Sequence, residues 1–173
     1  VQAILKRHDI LLVVDEVVTG FGRIGDMFGS TTMGLQPDLL IAAKELSSAY
    51  IPISALLIAP RVWEAMLEQS DRLGVFGLTM TYSGHPVAAA VAREALRIYE
   101  EEDIPGRARA LEPRFLGGLA ALRGHPLIGE VRGKGLLAGV ELADARAGRP
   151  LPAEVKAGPL AAAIGERHGL LFR

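Results

Sequence analysis

Short apolar runs and helical patterns alternate along the first part of the chain. The run at residues 10–14 is apolar at every position, which suits a buried parallel strand better than a helix of typical length. Strands that alternate with helices favour an α/β fold with a mostly parallel sheet. Further apolar runs predict strands at 39–43 and 54–59, and helical spacing or a helix-starting proline predicts helices at 1–9, 61–69 and 86–102.

Pro105 and Gly106 mark a change in this pattern. The elements that follow are typical of a smaller α+β unit. We therefore place a domain boundary near residue 103, between a first domain at 1–103 and a second at 104–173. In the second domain the pattern predicts a helix near 107–122, a strand near 136–142, a helix near 157–168 and a last strand at 170–173.

The composition indicates a globular chain. Of its 173 residues, 50% are hydrophobic and 23% are charged, which allows a sizeable core and excludes a disordered chain. The 19 basic and 20 acidic residues give a net charge of −1, so no basic excess indicates nucleic-acid binding. No apolar run approaches the roughly 18 residues of a membrane span. The absence of cysteine excludes disulfides and thiolate metal sites, and it fits a reducing cytoplasm.

A glycine-rich segment at residues 20–25 satisfies the dinucleotide-binding pattern G-x-G-x-x-G. In a dinucleotide site the first glycine ends the strand and a helix starts within the motif. Here Asp15 to Thr19 intervene, and the residues after the motif break helices, which favours a glycine-rich turn. An NAD-dependent oxidoreductase is therefore the weaker alternative.

Two other catalytic patterns are incomplete. The run LLVVDE resembles the strand that binds magnesium in nucleotide hydrolases, but the partner loop G-x-x-x-x-G-K-[S/T] does not occur in this sequence. The histidines show neither metal-ligand spacing nor an H-E-x-x-H motif, so we predict no metal site. These histidines are His8, His85, His125 and His168.

Asp15 and Lys44 are the most informative pair of residues. Each follows an apolar run that predicts a strand. Ligands of a parallel α/β sheet bind beyond the carboxyl ends of its strands, so both charges should lie at the same edge. A lysine at this place either forms a salt bridge with the carboxylate or provides a nucleophilic amine for a Schiff base. The residues alone leave both interpretations open.

Longer segments of the sequence resemble the class III aminotransferases, pyridoxal-phosphate (PLP) enzymes of the aspartate-aminotransferase fold. The specific signature is the order D-E-V, G-F-G-R-x-G, P-D and K between residues 15 and 44. The segment LSSAYIPISA is similar to the ω-aminotransferase branch, whose members use pyruvate or related oxo acids with varied amines. The resemblance implies part of the large PLP-binding domain, with its mostly parallel sheet, followed by part of a small α+β domain.

The resemblance also implies roles for individual residues. Lys44 matches the lysine that forms a Schiff base with PLP, and Asp15 matches the aspartate that pairs with the pyridine nitrogen. Val17 matches the residue that packs on one face of the cofactor ring. Thr81 matches the threonine that reaches the cofactor phosphate across a homodimer interface. Arg173 lies where ω-aminotransferases carry a mobile arginine that binds the substrate carboxylate.

The resemblance leaves two interpretations of the chain itself. One is the C-terminal part of an active aminotransferase, because members of the family are more than twice this long. The other is a truncated or non-catalytic relative without a competent site. The sequence departs from many relatives at Glu45 and Ala49, where glycine is common, and it does not specify one substrate. We expect small-molecule amino donors and oxo-acid acceptors as partners.

Overall fold

The computed structural model describes residues 1–171. The chain forms two units, one from Val1 to Ala110 and one that begins at Leu111. Short 3-10 turns lie at Lys44–Ser47 and Ala153–Val155. The helices and strands are, in chain order, α1 (Gln2–Arg7), β1 (Val13–Asp15), α2 (Gly29–Thr32), β2 (Leu39–Ala42), β3 (Ala55–Ile58), α3 (Pro60–Leu73), α4 (Pro86–Glu101), α5 (Ile104–Ala120), β4 (Ile128–Lys134), β5 (Leu137–Asp144), β6 (Arg149–Pro150) and α6 (Ala157–Arg167).

The sheet of the first unit consists of β1, β2 and β3 in that order. β1 and β2 are parallel, with Val13 opposite Leu39 and Asp15 opposite Ile41. β3 runs antiparallel to β2, so the sheet that we predicted as mostly parallel contains one antiparallel pair among the described strands. The connection explains this difference, because residues 43–54 contain a single 3-10 turn and a parallel crossover usually includes a helix.

The helices around this sheet begin and end at residues suited to those positions. α4 begins at Pro86, because a proline at the first helical position lacks only an N–H that the helix does not use. The His85 side chain accepts a hydrogen bond from the Ala88 N–H at 3.4 Å. α3 continues to Leu73, beyond the end that the sequence predicts, and Gly74 terminates it with a φ of 70°.

The core of the first unit combines residues of α4, β2 and the 3-10 turn that follows β2. Small side chains on α4 allow this helix to pack closely on that turn. Removing this apolar surface from water stabilises the arrangement by roughly 25 cal/mol per Å². The buried residues of the cluster are Phe21, Leu40, Ala42, Leu46, Ala92, Ala95 and Tyr99.

α5 begins directly after Asp103, whose Oδ1 accepts a hydrogen bond from the Gly106 N–H at 3.0 Å. Pro105 lies in the first turn of the helix, where proline is well tolerated. The two residues that suggested a break therefore start a helix, and this helix continues past Ala110 into the second unit. The domain boundary near residue 103 stays a prediction.

The second unit contains two strands, β4 and β6, that the sequence pattern did not predict. β4 pairs antiparallel with β5, and β6 pairs with the other edge of β5. Two glycines and three charged residues interrupt the apolar pattern of β4, in which Val131 is the buried position. A Cβ on Gly133 would lie 2.7 Å from the Leu137 carbonyl oxygen, so close pairing favours glycine there. Of the strand predicted at 170–173, Leu170 and Leu171 belong to no strand, and Phe172 and Arg173 lie outside the described residues.

Candidate functional site

Asp15 and Lys44 lie at the same edge of the first sheet. Asp15 is the last residue of β1 and is opposite Ile41 of the parallel strand β2. β2 ends at Ala42, and Lys44 begins the 3-10 turn that follows. The ion pairs among the described residues do not include one between Asp15 and Lys44, and both side chains are exposed. An amine and a carboxylate are therefore accessible at the edge where parallel strands bind ligands.

The backbone after β1 orients the Asp15 carboxylate. Its Oδ1 accepts a hydrogen bond from the Val17 N–H at 2.9 Å, a local contact of the Asx-turn type. Its Oδ2 accepts no hydrogen bond from the residues that the structure describes. Val17 is half-buried in the turn that follows the strand. One oriented carboxylate oxygen is thus available to an external donor, next to a small apolar side chain.

Glu16, between these two residues, has a different environment and is only 1% exposed. Its carboxylate accepts hydrogen bonds from the Thr19 hydroxyl and from the N–H groups of Gly29 at 2.9 Å and Ser30 at 2.5 Å. Gly29 and Ser30 begin α2, and the N–H groups at a helix start have no partner within the helix. The carboxylate therefore connects the segment after β1 to the first turn of α2.

The hydrogen bonds determine the ionisation of Glu16. Burial acts to raise its pKa, because the charged form loses contact with water. The hydrogen bonds from Thr19, Ser30 and Gly29 act in the opposite direction, and together they lower the pKa of Glu16 below its ordinary value. The sequence pattern alone did not single out Glu16, since its partners at the start of α2 lie 13 and 14 residues away. The available signal was an acidic residue directly after an apolar strand.

The backbone around Lys44 is strained. We call residues 44–49 the lysine turn. Lys44, Ser48 and Ala49 have positive φ angles of 48°, 49° and 61°. This region costs roughly 1–2 kcal/mol for a residue that carries a Cβ. Strain of this kind persists only where the surrounding structure enforces it, and it is common at functional sites.

Side-chain contacts constrain the lysine turn from two sides. The Ser47 hydroxyl donates a hydrogen bond to the carbonyl of residue 51 at 2.6 Å, and the Tyr99 hydroxyl donates one to the Glu45 carbonyl at 2.6 Å. Arg23 forms an ion pair with the Glu45 carboxylate. The other carboxylate oxygen of Glu45, Oε2, is buried and has no hydrogen-bond partner within the described part of the chain.

The glycine-rich segment at 20–25 is a turn that packs against α5. Residues 17–24 form turns rather than the start of a helix, as the turn interpretation predicts. Gly25 has a φ of 109°, and a Cβ there would lie 2.9 Å from Arg109 Cγ. Arg109 also donates a hydrogen bond to the Gly25 carbonyl. The glycines therefore allow the segment to contact α5 closely.

The remaining predicted site residues lie elsewhere. Thr81 is exposed in the turn at 81–84, which precedes α4. A cavity of about 850 Å³ adjoins this turn and is lined by residues 51–54 and 82–85, Met80 and the first turn of α4. Neither Asp15 nor Lys44 lines it. A smaller apolar cavity of about 420 Å³ lies along α3. Arg173 lies outside the described residues.

Two kinds of feature are not found between residues 1 and 171. No group of three or more histidine, cysteine or acidic residues could bind a metal ion. None of the helices described there has both the length and the apolar character needed to cross a membrane. The candidate site at the sheet edge contains the Lys44 amine, the oriented Asp15 carboxylate and the apolar Val17 side chain.

Comparison with known proteins gives consistent matches to transaminases. The family model described as aminotransferase class III matches residues 1–172. Gamma-aminobutyrate transaminase 1, a mitochondrial protein of Oryza sativa subsp. indica, is 48% identical over 100% of this chain and 34% of its own length. Gamma aminobutyrate transaminase 3, a chloroplastic protein of Solanum lycopersicum, gives the same identity and coverage. The chain thus spans about a third of the length of these curated relatives.

Solved structures of similar sequence share the fold. A transaminase with L-alanine is 49% identical and has a TM-score of 0.94, with 99% of this chain and 41% of that chain covered. The ω-transaminase of Pseudomonas jessenii in complex with PMP is 45% identical and has a TM-score of 0.94, with 99% and 38% covered. The α/β fold that the sequence predicts as part of a PLP-dependent transferase is therefore confirmed.

Proposed function

Since the chain belongs to the class III aminotransferases, we propose that the full-length protein containing it is a PLP-dependent transaminase. It transfers an amino group from an amine or amino acid to an oxo acid such as pyruvate. The chain covers 34% of a curated relative, so the reaction belongs to the full-length protein. We also propose that this segment alone is inactive, because Asp15 and Lys44 are both exposed and none of the residues described by the structure excludes water from them.

One observation carries this proposal. Lys44 has a strained backbone directly after β2, at the edge where the parallel strand β1 ends in Asp15. A primary amine and a carboxylate at adjacent strand ends are the two groups that PLP chemistry requires of a protein. The enforced positive φ of Lys44 supports a functional constraint on this residue rather than a surface position chosen for solubility.

The residues at the edge fit PLP by their chemistry. The Lys44 amine suits the cofactor's aldehyde, and the Asp15 oxygen without a hydrogen-bond partner among the described residues suits a protonated pyridine nitrogen. Val17 is half-buried and apolar, as a contact for the face of an aromatic ring should be. A relative of known structure is a complex with PMP, the aminated form of the same cofactor. These features support PLP as the cofactor.

Each of these residues has a distinct task in the proposed reaction. Bound PLP supplies an electron sink for the bond that breaks at the donor's carbon. Asp15 keeps the pyridine nitrogen protonated through a charge-assisted hydrogen bond. The Lys44 amine would hold the cofactor, and when it is free its Nζ would move a proton as general base and then as general acid. Val17 packs on the ring and limits its tilt.

The remaining assignments concern parts of the site away from this edge. We propose that the full-length protein is a homodimer and that Thr81, in its exposed turn, binds the phosphate of the partner's cofactor. Arg173 binds the substrate carboxylate. We further propose a cytoplasmic location and ω-amino acids among the donors, the latter because two relatives are named as gamma-aminobutyrate transaminases.

The proposal is tested by half-reactions of the full-length protein loaded with PLP. Stopped-flow absorbance follows the conversion of bound PLP after addition of γ-aminobutyrate, L-alanine or a simple primary amine, and pyruvate then regenerates it. We expect conversion with at least one donor. Asp15→Asn should retain PLP but slow the conversion by about 100-fold, because a neutral amide does not favour the protonated ring. Failure of every donor, or parental rates in Asp15→Asn, would contradict the assignment.

A further inference from the structure

Tyr99 contacts the lysine turn from α4. Its hydroxyl donates a hydrogen bond to the Glu45 carbonyl at 2.6 Å. It also contacts the Ser48 hydroxyl. Because a phenol carries a single proton and that proton is already donated, the Ser48 hydroxyl must be the donor in this second hydrogen bond. One phenol oxygen therefore connects positions 45 and 48 of the lysine turn.

The ring of Tyr99 is held by core residues outside the lysine turn. Tyr99 is 8% exposed, and its ring packs against Phe21 with 6.2 Å between the ring centroids. Ala92 and Ala95 belong to the same buried cluster. A side chain packed in this way occupies a single rotamer, so its hydroxyl is a rigid reference point for the turn.

The backbone at the end of the lysine turn needs a contact that holds it in an unfavourable conformation. Ser48 and Ala49 both have left-handed φ angles, although neither is a glycine. Residues with a Cβ prefer negative φ, so the turn would relax if no contact opposed this. Lys44 itself has a φ of 48° at the other end of the same turn. Relaxation at 48 and 49 would therefore change the position from which the Lys44 side chain extends.

We propose that Tyr99 is a positioning residue for Lys44. Its hydroxyl fixes the lysine turn through the Glu45 carbonyl and the Ser48 hydroxyl, and this keeps the Lys44 amine at the edge of the sheet beside Asp15. The inference rests on the proposed function, in which Lys44 binds PLP covalently. Tyr99 acts through the backbone and does not itself contact the cofactor.

The test measures covalent attachment separately from cofactor binding. The full-length apoprotein is mixed with PLP, the reaction is stopped with borohydride at set times, and mass spectrometry measures the PLP adduct on the Lys44 peptide. Tyr99→Phe should slow attachment by about tenfold, the effect expected for loss of two hydrogen bonds. Ser48→Ala, which removes one of them, should slow it by about threefold. In the Lys44→Ala background, adding Tyr99→Phe should leave the affinity for PLP unchanged.

A rescue variant distinguishes positioning from general destabilisation. Ala49→Gly should restore most of the attachment rate to Tyr99→Phe, because glycine adopts the left-handed conformation without strain. The matched control is Arg123→Met in the second unit, which removes a hydrogen bond from a side chain to the Val131 carbonyl. This control should lower the melting temperature without slowing attachment.

Parental attachment by Tyr99→Phe and Ser48→Ala would overturn the inference and leave the proposed function intact. The inference would also be overturned if Ala49→Gly did not restore the attachment rate of Tyr99→Phe, or if Arg123→Met slowed attachment equally. In both cases Tyr99 would have only a structural role. If the parental protein itself forms no adduct on Lys44, the proposed function fails, and the role of Tyr99 fails with it.

Discussion

The Glu16 carboxylate accepts a hydrogen bond from the Ser30 N–H at 2.5 Å, across 14 residues of chain. It accepts another from the Gly29 N–H at 2.9 Å. Glu16→Ala would leave both N–H groups at the start of α2 without this partner, so we expect a loss of about 3 kcal/mol in the free energy of unfolding. Urea denaturation of the full-length protein at one fixed protein concentration measures this loss. An effect below about 1 kcal/mol would contradict the role of the carboxylate.

The same contact predicts a dependence on pH. The folded-state pKa of Glu16 is lowered, so its stabilisation is fully present above the unfolded value of about 4.3 and is lost as the pH falls through the lower folded value. Glu16→Gln cannot titrate and should show a smaller loss of stability between neutral pH and about pH 3 than the parental protein. Equal acid sensitivity of the two proteins would show that other groups are responsible.

Gly25 is expected to resist substitution for two reasons. Its φ of 109° is unfavourable for alanine, and a Cβ would lie 2.9 Å from Arg109 Cγ on α5. Gly25→Ala should therefore lower the free energy of unfolding by about 3 kcal/mol. Gly34→Ala is the matched control, because Gly34 has a φ of 63° and a Cβ there would meet no atom within 4 Å beyond its chain neighbours. It should cost only about 1 kcal/mol; equal losses in urea denaturation would exclude a packing role for Gly25.

A second acid-sensitive contact is expected at Asp38. Arg61 Nε donates a hydrogen bond to its Oδ1 at 2.6 Å, and the Leu12 N–H donates one to its Oδ2 at 2.8 Å. These contacts, that of Arg61 above all, lower the pKa of Asp38 to about 2. The stabilisation is therefore present above the unfolded value of about 3.9 and is lost as the pH falls through about 2. Asp38→Asn should remove this part of the acid sensitivity. Urea denaturation at about pH 5 and at about pH 2 measures the loss of stability in both proteins.

Asp9 provides the control for this experiment. It forms an ion pair with the same Arg61, at 3.4 Å, but its side chain is 92% exposed. Exposed pairs contribute little to stability. Asp9→Asn should therefore leave the acid sensitivity unchanged, and a change as large as that of Asp38→Asn would argue against a specific role for Asp38.

The proposed role of Thr81 predicts complementation between two inactive or weakened variants. In a mixed dimer of Lys44→Ala and Thr81→Ala protomers, one of the two sites would combine the intact lysine of one subunit with the intact threonine of the other. After unfolding and refolding of an equal mixture, about a quarter of the parental activity should return, because half of the dimers are mixed and each has one complete site. Activity no higher than the mean of the separate variants would place Thr81 in its own subunit's site.

The placement of Asp15 and Lys44 at one edge of the sheet was predictable from the sequence, because it depends only on the residues that precede each of them. Asp15 and Lys44 each follow an apolar run, and the ends of parallel strands meet at one edge. The antiparallel direction of β3 was not evident, because an apolar run has no direction. β4 was missed because its glycines, which allow close pairing with β5, also weaken its apolar pattern.

The residues that support the site were less accessible to sequence reasoning than those expected to perform the chemistry. Glu16 depends on N–H groups that lie 13 and 14 residues away, and Tyr99 depends on a carbonyl 54 residues away. Neither partner has a sequence signature, because a backbone N–H or carbonyl occurs at almost every position. Such contacts become visible only when the packing of α2 and α4 is known.

The covalent bond between Lys44 and PLP is the central claim, and peptide mapping tests it most directly. The full-length protein is loaded with PLP, reduced with borohydride, digested and analysed by mass spectrometry, with Lys44→Ala and the exposed-lysine control Lys134→Ala treated in parallel. We predict a single PLP adduct, on Lys44, in the parental and Lys134→Ala proteins. Lys44→Ala should have no adduct and no transaminase activity, and should still bind PLP more weakly. An adduct on another lysine, or near-parental turnover in Lys44→Ala, would contradict the account.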